Sequence, residues 1–155
     1  MRFVVQRVKK AMVTVGDDVT GAIGKGYVVL MGVSDTDTKE IADRMVQKLI
    51  KLRIFEDDEG KTNLDIKSAG PNGKTRILLI SQFTLYADCR KGNRPSFTNA
   101  GAPDMANELY EYCARRIEDE GIQCQKGVFG ADMKVSLLND GPFTIILDSD
   151  EIIKA

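Results

Sequence analysis

The sequence predicts an α+β fold: a curved, barrel-like, largely antiparallel β-sheet with two covering helices. Three observations carry that expectation. Segments rich in β-branched residues recur along the whole chain. Only two stretches place apolar residues at helical spacing. The order of these elements does not repeat as βαβ, which argues against a doubly wound sheet. The chain has 155 residues, 43% apolar and 29% charged, which suits one globular domain with a real core. No repeat, linker or low-complexity stretch divides it, so residues 1–155 are read as a single domain.

The elements follow in order. Arg2–Val8 and Ala11–Val15 read as strands, and Gly16-Asp17-Asp18 supplies a turn near them. Gly21-Ala22-Ile23-Gly24-Lys25-Gly26 has close glycines, yet no helix follows directly. It is neither a P-loop nor a dinucleotide fingerprint, and reads as a turn between strands. Gly26–Val33 is a buried strand. Asp37 and Glu40 have capping-box spacing ahead of a helical stripe of Ile41, Ala42, Met45, Val46, Leu49 and Ile50. Arg53–Phe55 starts a strand that stops at the acidic turn Asp57-Asp58-Glu59-Gly60, which lacks the further ligands of a calcium loop. Arg76–Ala87 is another strand. Asp88–Pro103 is a long polar loop, and Pro103 stands just inside the second helix. Its stripe is Ala106, Leu109, Tyr110, Cys113 and Ile117, and Gly121 ends it. Gln123–Val128, Lys134–Leu138 and Phe143–Leu147 are the last strands. Asp148-Ser149-Asp150-Glu151 reads as a solvated turn.

Composition narrows the chemistry. The chain has no histidine. That removes Ser-His-Asp and Cys-His nucleophilic systems, the usual catalytic zinc, and imidazole acid-base work. Chemistry here must come from backbone dipoles, hydroxyls, carboxylates, lysines or the substrate itself. Three cysteines, Cys89, Cys113 and Cys124, without CxxC spacing make a disulfide framework or thiolate zinc site a poor reading. Cys89 sits beside Arg90 and Lys91, cations of the kind that favour a thiolate, but with no base or histidine to use it the plainer reading is an ordinary thiol. No metal and no cofactor are expected. A net charge of −1 argues against coating nucleic acid through bulk charge, though not against a local basic patch. The longest apolar run, Tyr27–Val33, falls far short of the ~20 residues that span a bilayer. With no signal-peptide pattern at the start, a cytoplasmic protein is the default.

Three short runs are candidates for function. Arg90-Lys91-Gly92-Asn93-Arg94-Pro95 gathers three cations and a glycine on the long loop, suited to phosphate, with Phe97 following as a stacking surface. A solvated loop is its plainer reading. Ser81-Gln82-Phe83-Thr84-Leu85 ends an apolar strand. Alternation there puts Gln82 and Thr84 on the row of Leu78 and Ile80, where polar groups need partners that a pocket would supply. The plainer reading is a strand emerging into solvent. Asn139-Asp140-Gly141-Pro142 separates two strands and reads by pattern as a hairpin connection.

Taken together, the chain resembles the D-aminoacyl-tRNA deacylases of the D-tyrosyl-tRNA deacylase type. The likeness runs nearly end to end. It is carried by Val5-Gln6-Arg7-Val8, Arg53-Ile54-Phe55, Ser81-Gln82-Phe83-Thr84-Leu85, Gly92-Asn93-Arg94-Pro95-Ser96-Phe97, Ala131-Asp132-Met133 and Asn139-Asp140-Gly141-Pro142-Phe143-Thr144. The residue after Gly-Pro is often valine in the family and is Phe143 here.

The resemblance implies a homodimer that hydrolyses the ester between a D-amino acid and the 3′ adenosine of tRNA. It implies a cis Gly141-Pro142 unit inserted into the partner's pocket, holding the α-amino group and excluding an L side chain. Arg7, Asn139 and Thr144 would support that unit. Ser81, Gln82, Ala106 and Met133 would bind substrate beside Phe83 and Thr84. Arg90, Lys91 and Arg94 would meet tRNA phosphates, so binding should weaken as salt rises. Neither membrane nor DNA is an expected partner. Without a base to activate Thr84, substrate-assisted hydrolysis with backbone N–H groups near Phe83 as oxyanion hole is preferred over a covalent Thr84 ester. Glycyl-tRNA, with no side chain to exclude, should be cleaved too.

Two rivals remain at this stage. A nucleic-acid-binding module without chemistry would leave aminoacyl-tRNA unchanged. A small-molecule esterase or D-amino-acid peptide hydrolase would not need tRNA contacts, and an esterase of that kind would take free D-aminoacyl esters.

Overall fold

Strand β1 (Arg2–Val15) is unbroken in the computed structural model, which describes residues 1–70 and 74–153. The two segments legible in the sequence are joined through Lys9 and Lys10, which stay in the ladder with exposed side chains. The strand changes its allegiance there. Phe3 and Val5 belong to the larger core, whereas Val8, Ala11 and Val13 belong to a second, smaller core. β1 pairs antiparallel with β2 (Asp18–Ile23), β3 (Gly26–Gly32) and β8 (Lys134–Asp148). β2 occupies a stretch the sequence reading assigned to a turn. Gly21 lies within it because the backbone of a neighbouring strand passes close: a Cβ there would sit 2.7 Å from the Lys126 carbonyl oxygen.

The sheet is mixed rather than largely antiparallel. β6 (Arg76–Ser81) runs parallel to β3, and β7 (Cys124–Lys126) runs parallel to β6. The cause is the pair of long helices. α1 (Lys39–Lys51) lies between β3 and β6 in the chain, and α3 (Pro103–Asp119) between β6 and β7. Each crossover returns the chain to the same end of the sheet. Parallel strands of this kind are covered on both faces and read as continuous apolar runs. Ile77 and Leu79 face the larger core with both helices, while Leu78 and Ile80 face the smaller one. β2 curls toward β6 and β7, which brings the sheet close to a closed barrel.

Both helical stripes are buried as their spacing predicts, apart from half-buried Ile41. The capping residue of α1 is Thr38, not Asp37: its hydroxyl accepts from the Ile41 N–H. Asp37 is buried and instead accepts from the Met1 ammonium at 2.7 Å and the Ser34 N–H at 2.7 Å. The C-terminal acidic run is likewise structural. Asp148 caps the short helix α4 (Ser149–Ile152) and pairs with Arg2 at 2.8 Å, and buried Ser149 accepts from the Met1 ammonium. A further short helix, α2 (Ile66–Ala69), lacks a stripe of its own. The Arg53–Phe55 strand shrinks to β4 (Phe55–Glu56), paired with β5 (Thr62–Leu64) around the Asp57 turn. Among the described residues no helix is long and apolar enough to cross a membrane.

Candidate active site

Strand β6 ends sooner than its sequence suggests. Gln82 leaves the extended region (φ −147°, ψ 85°), and Phe83–Tyr86 forms a 3-10 turn. The alternation expected through Leu85 therefore stops at Ser81. The Gln82 N–H still bonds the Met31 carbonyl, so the turn is anchored to β3. In an i→i+3 turn the first N–H groups have no partner within the turn. Those groups belong to Phe83 and Thr84, at the end of a buried strand.

This turn borders a cleft of about 700 Å³. Ser81, Gln82 and Phe83 form one wall, the Ala100–Pro103 segment and Ala106 of α3 another, and Phe129–Met133 a third. Met31, Val33 and Ile80 make its apolar floor. Tyr110 holds α3 to the sheet, its hydroxyl donating to the Leu79 carbonyl at 2.6 Å. Burial raises the Tyr110 phenol pKa, so the group stays protonated. Thr84 is exposed at the turn, and its hydroxyl accepts from the Gln82 side-chain amide. Five of the residues singled out for substrate thus meet: Ser81, Gln82, Phe83, Ala106 and Met133.

The second run is not a hairpin connection. Asn139–Thr144 lies inside β8, which follows β1 along its length with register shifts on either side of Val8. The run bulges out of that ladder. The Asn139 side chain bridges the bulge: its Oδ1 accepts from the Phe143 N–H at 2.6 Å, and its Nδ2 donates to the Phe143 carbonyl at 3.3 Å and Thr144 Oγ1 at 3.1 Å. Arg7 lies beneath it and is buried. Its Nε donates to the Asp140 carbonyl at 3.0 Å, its Nη1 to the Ile54 carbonyl at 2.5 Å, and its guanidinium stacks 4.6 Å from the Phe143 ring centroid. Ile54 is a partner the sequence reading missed, because a backbone carbonyl leaves no trace in residue type. The Gly141–Pro142 peptide bond is cis, and both residues are exposed.

Within one chain the two runs stay apart. Arg7 pairs with Tyr27, which pairs with Ile77, four residues before Ser81. Strand rise and spacing put the bulge about 20 Å from the cleft wall.

The long loop is closed by reciprocal backbone bonds between Asp88 and Ser96, at 2.7 and 2.9 Å. Arg90 folds back on Asp88 in a bidentate pair, at 2.9 and 2.7 Å. Those hydrogen bonds lower the Asp88 carboxyl to about 2. Being depressed, that pairing is present above the ordinary carboxylate range and is lost only as pH falls toward about 2. Lys91 and Arg94 are exposed and have no carboxylate partner among the described residues. Burial pushes the Cys124 thiol up to about 12 and raises Cys113 as well, so neither is a ready nucleophile. Sequence reasoning did not single out Phe129, which lines the cleft from a loop between Gly127 and Gly130. An aromatic flanked by glycines was its only signal.

An α+β domain with a cleft at the end of a parallel strand, and a braced backbone bulge elsewhere, fits a small-molecule or ester site better than a flat binding face. The family described as D-Tyr-tRNA(Tyr) deacylase matches residues 4–148, and the chain belongs to that family. It is 49% identical over 151 residues to a D-aminoacyl-tRNA deacylase of Thermus aquaticus, covering 97% of each chain. It is 50% identical over 148 residues to a D-aminoacyl-tRNA deacylase of Lactobacillus acidophilus, covering 96% of this chain and 99% of the other. A solved structure described as a c-Myc DNA Unwinding Element Binding Protein superposes with TM-score 0.87 at 39% identity, covering 96% and 98% of the two chains.

Proposed function

We propose that this chain hydrolyses the ester of D-aminoacyl-tRNA and of glycyl-tRNA in the cytoplasm, releasing the amino acid and the tRNA. It acts as a homodimer, with Gly141–Pro142 of one protomer reaching the cleft of its partner. The observation that carries this reading is the separation of the cleft from the braced bulge. A single ester cannot touch two motifs about 20 Å apart. A two-fold partner brings both to one substrate, because each copy offers the same pair of surfaces. Strand β8 supports a second copy: it hydrogen-bonds only β1 among the described residues and exposes Leu138 at 49% and Ile146 at 67%. Such an apolar edge strand invites cover.

Each residue then has a task. The bulge carbonyls hold the α-amino group, and the bulge backbone leaves no room for an L side chain. Arg7, Asn139 and Thr144 keep that backbone in place. Ser81, Gln82, Ala106 and Met133 seat the terminal adenosine. The N–H groups opening the Phe83–Tyr86 turn face the developing oxyanion, a contribution of about 2.7–4 kcal/mol for one such donor. Water attacks the ester carbonyl, positioned by the 2′-OH of the substrate. The C–O bond to the ribose breaks, and its 3′ oxygen takes up the proton. Lys91 and Arg94 contact phosphates, and Arg90 can do so only after releasing Asp88.

The dimeric site is tested by complementation. A Gly141→Ala variant spoils the bulge, and an Ala106→Trp variant fills the cleft. Each alone should be nearly inactive, and mixing after subunit exchange should restore about a quarter of the parent's sites. No recovery on mixing, with exchange verified, would sink the shared site. Thr84 is tested apart. A single-turnover assay of Thr84→Ala should stay within about tenfold of the parent, since an unactivated hydroxyl is a poor nucleophile. A loss of about a thousandfold or more would make Thr84 a covalent nucleophile instead.

A further inference from the structure

We propose that Phe97, braced edge-to-face by Phe83, is a stacking platform for the base next to the terminal adenosine of the substrate's single-stranded 3′ end. The inference rests on the reading that an RNA end enters the cleft. It adds a recognition site one nucleotide upstream of the ester.

Two aromatic rings lie at the cleft with their centroids 4.9 Å apart and their planes at 68°. Both border the cleft, yet Phe83 is 57% exposed and Phe97 38% exposed. Large apolar rings left in water this way gain nothing for the fold itself. An edge-to-face pair uses the face of only one ring on one side, so a flat π-surface stays open to a third ring. The platform is fixed rather than floppy. Phe83 sits in the turn anchored to β3. Phe97 follows the Asp88–Ser96 closure, and its carbonyl accepts from the Ala100 N–H at 3.1 Å. Next along the chain, Asn99 and Gly101 are tied to Asp35 and Val33 by further backbone bonds.

The charge on the same loop selects the kind of ring. Lys91 and Arg94 are exposed on the segment leading to Phe97, and Gly92 adopts a positive φ of 62° between them. A cationic track running into an aromatic step is the arrangement that binds single-stranded nucleic acid, with phosphates on the track and bases on the step. Arg90 is spent on Asp88, which leaves Lys91 and Arg94 as the phosphate contacts. Stacking tolerates any base, so this site adds affinity and register without reading sequence.

The test uses the intact protein and a short oligoribonucleotide carrying 2-aminopurine either at the penultimate or at the terminal position. The penultimate probe should change its fluorescence on binding. Phe97→Ala should abolish that change and weaken binding about 5- to 150-fold, while Phe97→Tyr should preserve both. In parallel, Phe97→Ala should raise KM for D-aminoacyl-tRNA several-fold more than KM for D-aminoacyl-adenosine. An unaltered penultimate signal in Phe97→Ala, no binding of the oligonucleotide to the parent, or an equal KM increase on both substrates would each overturn the platform. A parent protein that binds and reports the penultimate base, but leaves D-aminoacyl-tRNA intact, would instead overturn the proposed function and leave the platform standing.

Discussion

Replacing Gly141 by alanine is expected to lower kcat/KM for D-aminoacyl-tRNA by about a hundredfold and to cost about 1–3 kcal/mol of stability through backbone strain. Gly141 has φ 148°, a conformation that side chains rarely adopt. An added Cβ would lie 2.9 Å from the Phe143 backbone nitrogen and 3.4 Å from Arg7 Nη2. The backbone has to shift to relieve those contacts, and it is the backbone that the proposed mechanism uses. A displacement on the order of 1 Å at a reacting centre costs roughly a hundredfold. Gly141 is exposed and outside both cores, so the stability loss comes from backbone strain and not from lost packing. Steady-state kinetics with urea denaturation checks both halves. A variant with parental kcat/KM would remove the bulge from the chemistry.

Arg7→Ala should damage both fold and function. Arg7 is buried, donates to two carbonyls and stacks on Phe143. Hydrogen bonds from a charged donor contribute about 1.5–3 kcal/mol each, and truncation leaves the acceptors unpaired in a cavity. A stability loss of about 3 kcal/mol is expected, together with a fall in kcat/KM of at least the Gly141→Ala size. Arg7→Lys should not rescue, because one ammonium cannot replace a planar fork that spans the Asp140 and Ile54 carbonyls. Chemical denaturation and kcat/KM measured on the lysine variant check this. Full rescue would reduce Arg7 to a source of charge.

The helices and cores were largely legible in the sequence, because burial imposes a period. The stripes of α1 and α3 predicted their buried faces almost residue by residue. Strand direction was not legible. Continuous apolar runs at Gly26–Val33 and Ile77–Ile80 are the signal for parallel pairing, but by pattern alone they identify strands without giving their direction. The two candidate runs were illegible for a related reason. Ser81–Leu85 has the alternation of a strand but turns at Gln82, and Asn139–Pro142 has the residues of a hairpin but bulges within β8. In both places the backbone departs from local propensity, which is where function tends to override pattern. The bracing of the bulge by Arg7 depends on carbonyls, and composition carries no record of those. The separation of the two runs is a property of the sheet register and appears only once the strands are ordered.

In the proposed mechanism the backbone of the Gly141–Pro142 bulge filters chirality by excluding a side chain. It is tested most directly by incubating the protein with D-tyrosyl-tRNA, L-tyrosyl-tRNA and glycyl-tRNA and following the ester in each. The D-tyrosyl and glycyl esters should be cleaved and the L-tyrosyl ester should survive. Cleavage of L-tyrosyl-tRNA at a comparable rate, or resistance of glycyl-tRNA, would contradict it.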